Sequence, residues 1–146
     1  MKTVSRISLA FFVATLVMGG SVACAANGSW VLVDEDPMIS DYYYDKTSVA
    51  PEGEGLVKVM TKAVYSADGK ADALDTIGHP KGFEDLTATG FFYTVNCSGD
   101  MSRLEKVTHF DGKGGAIKAY DLAGKTEWEP IEPDTRMSLL RDAVCK

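Results

Sequence analysis

The first 25 residues constrain this chain more than any others, because they decide which compartment it folds in. Lys2 and Arg6 make a positive start, Ile7 to Met18 is mostly apolar, and Gly19-Gly20-Ser21 breaks the run. Ala23-Cys24-Ala25 then places small residues where a signal peptidase reads them. That order of charge, apolar run and small residues is a secretory signal. The apolar run of about 12 residues is too short to span a bilayer, which takes roughly 20. Residues 1–25 are therefore expected to be a signal peptide and 26–146 a single exported domain. A second reading of the same stretch makes Cys24 the lipid-bearing first residue of a lipoprotein. It is the weaker one, since Ser21 stands where a large aliphatic residue belongs.

Export fixes the cysteine chemistry. Of Cys24, Cys97 and Cys145, the last two survive cleavage. Paired cysteines in an oxidising compartment bridge, so Cys97 and Cys145 are expected to form a disulfide. By chain entropy alone, closing a loop of that length contributes roughly 4 kcal/mol. Cleavage also takes away two positive charges and no acids, moving the formal charge from −6 to −8. An acidic chain without a basic run repels phosphate backbones and anionic membrane surfaces, which excludes nucleic acid as a partner.

Along the mature chain the pattern is one of strands followed by a helix. Val57, Val59, Thr61 and Ala63 alternate with Lys58, Met60 and Lys62, the period of two of a half-buried strand. Phe91, Tyr93, Val95 and Cys97 share one strand face, which places the cysteine toward the core. Met101 to Asp111 and Ala116 to Leu122 are strands joined by the glycine turn Gly112–Gly115. Ser66 to Asp85 breaks the alternation and is expected to be a long connection with one or two helical turns. Asp134, after Pro133, is the expected cap of a final helix whose apolar side is Met137, Leu140 and Val144. The fold class is thus α+β: an antiparallel β-sheet meander with a C-terminal helix tethered by the disulfide.

No catalytic, metal or cofactor pattern is present. His79 and His109 stand in no ligand spacing, and no CxxC, P-loop, calcium loop or GxSxG elbow occurs. Tyr42, Tyr43 and Tyr44 are the candidate binding residues, because tyrosine is enriched where surfaces recognise partners. Alternation puts Tyr42 and Tyr44 on one face and Tyr43 on the other. Trp30 and Trp128 are expected in the core. The connection Ser66 to Asp85 is a third candidate surface.

Several landmarks in order resemble the surface-adhesin protein E family. They are Trp30, then Tyr43-Tyr44-Asp45 before Thr47-Ser48-Val49, then a strand ending in Cys97 with Arg103 after its turn. The end reads Trp128-Glu129-Pro130-Ile131-Glu132-Pro133-Asp134-Thr135 and closes on Val144-Cys145. The resemblance implies an antiparallel sheet flanked by a C-terminal helix, bridged cysteines, a cell-envelope location and, for the family's type member, binding to host matrix proteins. In that member the binding stretch around the first cysteine is basic, whereas Thr87 to Cys97 here has no Lys or Arg. Fold and location carry over from the resemblance; the host ligand does not.

These observations lead to a non-enzymatic envelope protein, in the periplasm or on the outer surface, that binds a protein or envelope ligand and is free to form a homodimer. Two alternatives stay open: a small periplasmic hydrolase or metal-dependent enzyme using His79 or His109, and a structural envelope component. A concave pocket with a histidine and two carboxylates would favour the enzyme. A face bearing tyrosine would favour binding.

Overall fold

The computed structural model describes residues 29–146; the expected signal peptide, residues 1–25 with Cys24, lies outside the described residues. The strands are β1 Trp30–Asp36, β2 Ser40–Asp45, β3 Ala50–Pro51, β4 Leu56–Tyr65, β5 Leu86–Asn96, β6 Met101–Asp111, β7 Ala116–Asp121 and β8 Glu129–Pro130. The helices are α1 Ala67–Ile77 and α2 Arg136–Val144. All strands join one sheet in the order β1-β2-β4-β5-β6-β7, with β3 beside β4 and β8 beside β6. Every pairing is antiparallel. This is the meander with a C-terminal helix that the alternation predicts.

The sheet has two unequal faces, and the parity of β4 and β5 sorts them. Val59 pairs with Tyr93, Thr61 with Phe91 and Ala63 with Thr89, so these residues share one face. That face buries Val59 and Val95 completely, against Leu140 and Val144 of α2 and against Ile131. Helix α1 lies over the other end of the same face, near Tyr65, Thr89 and Phe91. Both helices therefore cover one side, and the side carrying Met60, Lys62, Gly90 and Phe92 has none.

Helix α2 is held at both ends. Cys97 and Cys145 are bridged, with their Cα atoms 5.6 Å apart. At the other end Arg136 donates to the Asp34 carboxylate at 2.7 Å, to the Ser40 hydroxyl at 2.8 Å and to the Ser40 carbonyl at 2.6 Å. A helix of 9 residues is too short to persist in water alone. Its stability comes from these ties and from the leucine it buries.

The structure corrects two expectations. The segment after β4 is not a long irregular connection: Ala67–Ile77 is a helix of 11 residues, capped by Ser66 and ended by Gly78 in the left-handed conformation. Its helical period is faint because its tightest contact is made by Gly69, where a Cβ would collide with the Ile39 carbonyl oxygen. A glycine contact leaves no apolar signal in the sequence. The cap of α2 is Thr135 rather than Asp134. Thr135 accepts from the Ser138 amide while Ser138 bonds back to it, a reciprocal capping box. Asp134 instead takes a positive φ of 59° in the turn before.

Losing the tether should be costly. Cys145→Ser is expected to lower stability by about 2–5 kcal/mol, read from denaturant midpoints of the variant and the oxidised parent. Leu140→Ala, which empties a fully buried site, should cost about 2–5 kcal/mol in the same measurement.

Candidate functional site

The three adjacent tyrosines part company as alternation requires. Tyr42 is 5% exposed, beneath α2. Its hydroxyl donates to the Thr61 hydroxyl at 2.9 Å, and the Arg136 guanidinium sits 5.6 Å from its ring centre. Burial pushes its phenol up, opposed by the Thr61 bond and by Arg136. Tyr44 packs against the core cluster around Leu140. Tyr43 points to the opposite, helix-free face, opposite Lys62 of β4, with its hydroxyl directed to Asp41.

Around Tyr43 the helix-free face gathers aromatic and cationic groups. The Lys62 ammonium lies 4.0 Å from the Trp30 ring centre and 5.7 Å from that of Tyr43. Such contacts are worth about 0.5–2 kcal/mol, rising as water is excluded. Partial burial lowers the Lys62 pKa, against the opposing pull of the Asp45 carboxylate. Beside this stack runs a groove of about 540 Å³ with Gly90 and Ala88 among its lining residues. Phe110 leans over Gly90, close enough that a Cβ there would crowd its ring at 2.9 Å. Trp30 is thus not a core residue, contrary to expectation; it is half-buried under a lysine. Trp128 likewise carries the Arg103 guanidinium 4.7 Å from its ring centre. The sequence signal for this cluster lies in the polar half of the alternation, where Lys62 marks the outward side.

The histidines stand apart. His79 is exposed and pairs with Asp75 one turn earlier. His109 is half-buried between the edges of Phe83 and Tyr120, with ring centres 5.3 and 5.9 Å away. Its Nδ1 meets the Thr89 hydroxyl at 2.9 Å, which in turn accepts from Tyr65 at 2.9 Å. Burial lowers its pKa from the ordinary 6.5. Among the described residues, no group of three His, Cys, Asp or Glu side chains is placed to hold a metal ion. Nor is any helix among them long and apolar enough to cross a membrane.

These placements have measurable consequences. Tyr42→Ala should cost about 3–5 kcal/mol, as for other buried aromatics, while Tyr43→Ala should cost about 1 kcal/mol or less; thermal melts separate the two. His109 adds a pH dependence of known sign. Because its folded pKa is lowered, the unfolded chain takes up the proton first as pH falls. The stabilisation it carries is present above about pH 6.5 and is lost progressively below it. Asp72 of α1 lines the same space, and Lys118 of β7 pairs with His109 across the sheet. His109→Phe should flatten the fall in melting temperature on acidification.

Comparison with known proteins gives one family and one fold. The family model for surface-adhesin protein E matches residues 30–146, which spans every strand and helix described above. No curated protein matches the sequence significantly. Among solved structures, the crystal structure of protein E from non-typeable Haemophilus influenzae superposes with a TM-score of 0.52 at 12% identity, covering 82% of this chain and 76% of that one. At such low identity the likeness establishes the fold alone, and the family model carries the membership. The chain belongs to the surface-adhesin protein E family.

Proposed function

We propose that this chain is an exported, non-enzymatic binding protein of the cell envelope, cleaved after Ala25, and that the helix-free face of its sheet takes up a protein or envelope ligand. One observation carries the reading: both helices cover the same side, leaving Trp30, Tyr43 and Lys62 clustered beside a groove on the other. Aromatic rings with a polar edge suit recognition, since they bury a large rigid area while keeping a hydrogen-bonding tip. Leu32, 48% exposed, pairs with Tyr43 and extends the apolar part of the surface. Tyr42 and Tyr44 support that surface from beneath without touching a ligand. Family membership supports a surface-binding role in the envelope. The excess of acids favours a neutral or basic partner.

The test compares the parent domain with Trp30→Ala/Tyr43→Ala in capture from a native envelope extract. The double variant should keep its fold by circular dichroism and lose capture. Capture by the parent should weaken as salt rises. Undiminished capture by a folded double variant would overturn the assignment of this face.

A further inference from the structure

Among the described residues Glu105 is the one buried acid, 8% exposed, and its two oxygens stand in unlike positions. Phe92 pairs with Lys106 and Tyr93 with Leu104, so Glu105 is an extra residue with none opposite it, a β-bulge. A bulge re-aims its side chain and is common beside functional sites. Oε1 accepts from the Thr94 hydroxyl at 2.9 Å and from Nε and Nη2 of Arg103, each at 2.9 Å. An arginine fork ordinarily spans both oxygens of a carboxylate; here both prongs meet one. Trp128, whose ring centre lies 4.7 Å from the guanidinium, helps to hold the fork. No donor among the described residues bonds Oε2.

Every sealed side-chain nitrogen and oxygen among the described residues has a partner, so the unbonded Oε2 is reached by solvent. Glu105 lines a hollow of about 260 Å³ together with Lys58, Phe92, Lys106, Asp121 and Ala123, on the helix-free face. The charges around it cancel. Lys58 pairs with Glu52 at 2.6 Å, Arg103 with Glu105, and Lys106 stands opposite Asp121 in the β6–β7 register. An ammonium entering the hollow would meet two lysines. A carboxylate would meet Glu105 and bring it no proton, and an apolar group would leave Oε2 dry and unbonded, which is costly. A hydroxyl both donates and accepts, so adjacent hydroxyls can donate to Oε2 and accept from Lys106. The Phe92 ring adds an apolar surface for the carbon skeleton that bears them. The volume lies just below the range of drug-sized sites and suits a single ring.

We infer that this hollow binds one unit of a neutral sugar, a pyranose ring laid on Phe92 with one hydroxyl donating to Glu105 Oε2 and its neighbour accepting from Lys106. β6 is four steps from β1 in the strand order, which puts the site roughly 19 Å from Trp30 at about 4.8 Å per strand. It does not depend on what Trp30 and Tyr43 bind.

The experiment is a titration of the isotope-labelled mature protein with the neutral methyl glycosides of glucose, galactose, mannose and N-acetylglucosamine, read from amide and arginine side-chain resonances. At least one should give saturable shifts at Phe92, Lys106 and Asp121 and at the Arg103 Nε proton. Its fully O-methylated ether keeps the ring but has no hydroxyl proton, and should not bind. Glu105→Gln keeps the shape and removes the acceptor, and should weaken binding about tenfold or more, the worth of a hydrogen bond to a charged group. Phe92→Leu leaves the charges untouched and should weaken binding about three- to tenfold; it decides the matter if Glu105→Gln does not fold. Trp30→Ala/Tyr43→Ala should bind as the parent does. No saturable shift with any of these glycosides up to their solubility, shifts centred on Trp30 and Tyr43, or undiminished binding by a folded Glu105→Gln or Phe92→Leu protein would overturn the site. Equal binding of the O-methylated ether, or tighter binding of the methyl glycoside of glucosamine or of glucuronate, would overturn the assigned ligand chemistry.

Discussion

The attachment of α2 to the sheet is the constraint on which the rest of the structure depends. A nine-residue helix cannot hold itself together, yet it supplies Leu140 and Val144 to the fully buried centre of the molecule. Two different chemistries fix it. At its start the planar Arg136 fork bonds a carboxylate and both oxygens of Ser40, linking β1 and β2 to the helix. At its end the disulfide ties it covalently to Cys97, the residue directly after β5. Between these anchors lie Val59, Val95 and Tyr42, and their burial follows from the helix staying where it is.

Helix α1 is attached by different means. Its closest approach is backbone to backbone at Gly69, and the side chains behind that contact are small. A well-packed interior leaves few gaps larger than a water molecule. A helix held by a glycine against the β1–β2 turn, with a groove left beside it, is therefore distinct from the α2 arrangement, although the two helices share a face. The same sheet thus presents a sealed core under α2, a lined groove under α1 and a helix-free reverse side.

The arrangement explains where polar groups tolerate burial. Thr61, Thr89, Thr94 and Glu105 are all buried, and each has a partner: Tyr42, Tyr65, Glu105 and Arg103 respectively. No buried side-chain nitrogen or oxygen among the described residues lacks one. Threonine serves here because its branched carbon frame suits a strand while its hydroxyl links neighbouring strands.

The sequence alone determined the long strands, the pairing of Cys97 with Cys145 and the last helix, because each rests on a local or chemical rule; the two-residue strands β3 and β8 are too short to show a period. Glycine turns on either side bounded β6 at Met101–Asp111 to the residue, and period-two alternation put Tyr43 on the side away from Tyr42 and Tyr44. The expected cleavage leaves two cysteines, and two cysteines in an oxidising compartment imply one bridge. Only the tertiary structure decided the rest. Helix α1 was obscured because its docking residue is glycine, which has no hydrophobicity to read. An apolar indole such as Trp30 reads as core in a sequence, whereas here it stacks against Lys62, 32 residues further along the chain. The Tyr65–Thr89–His109 chain joins residues on three strands and has no spacing a sequence could display. Which side of the sheet stays free of helices is likewise a matter of where two chain segments fold back, and such long-range contacts leave their mark on geometry rather than on periodicity.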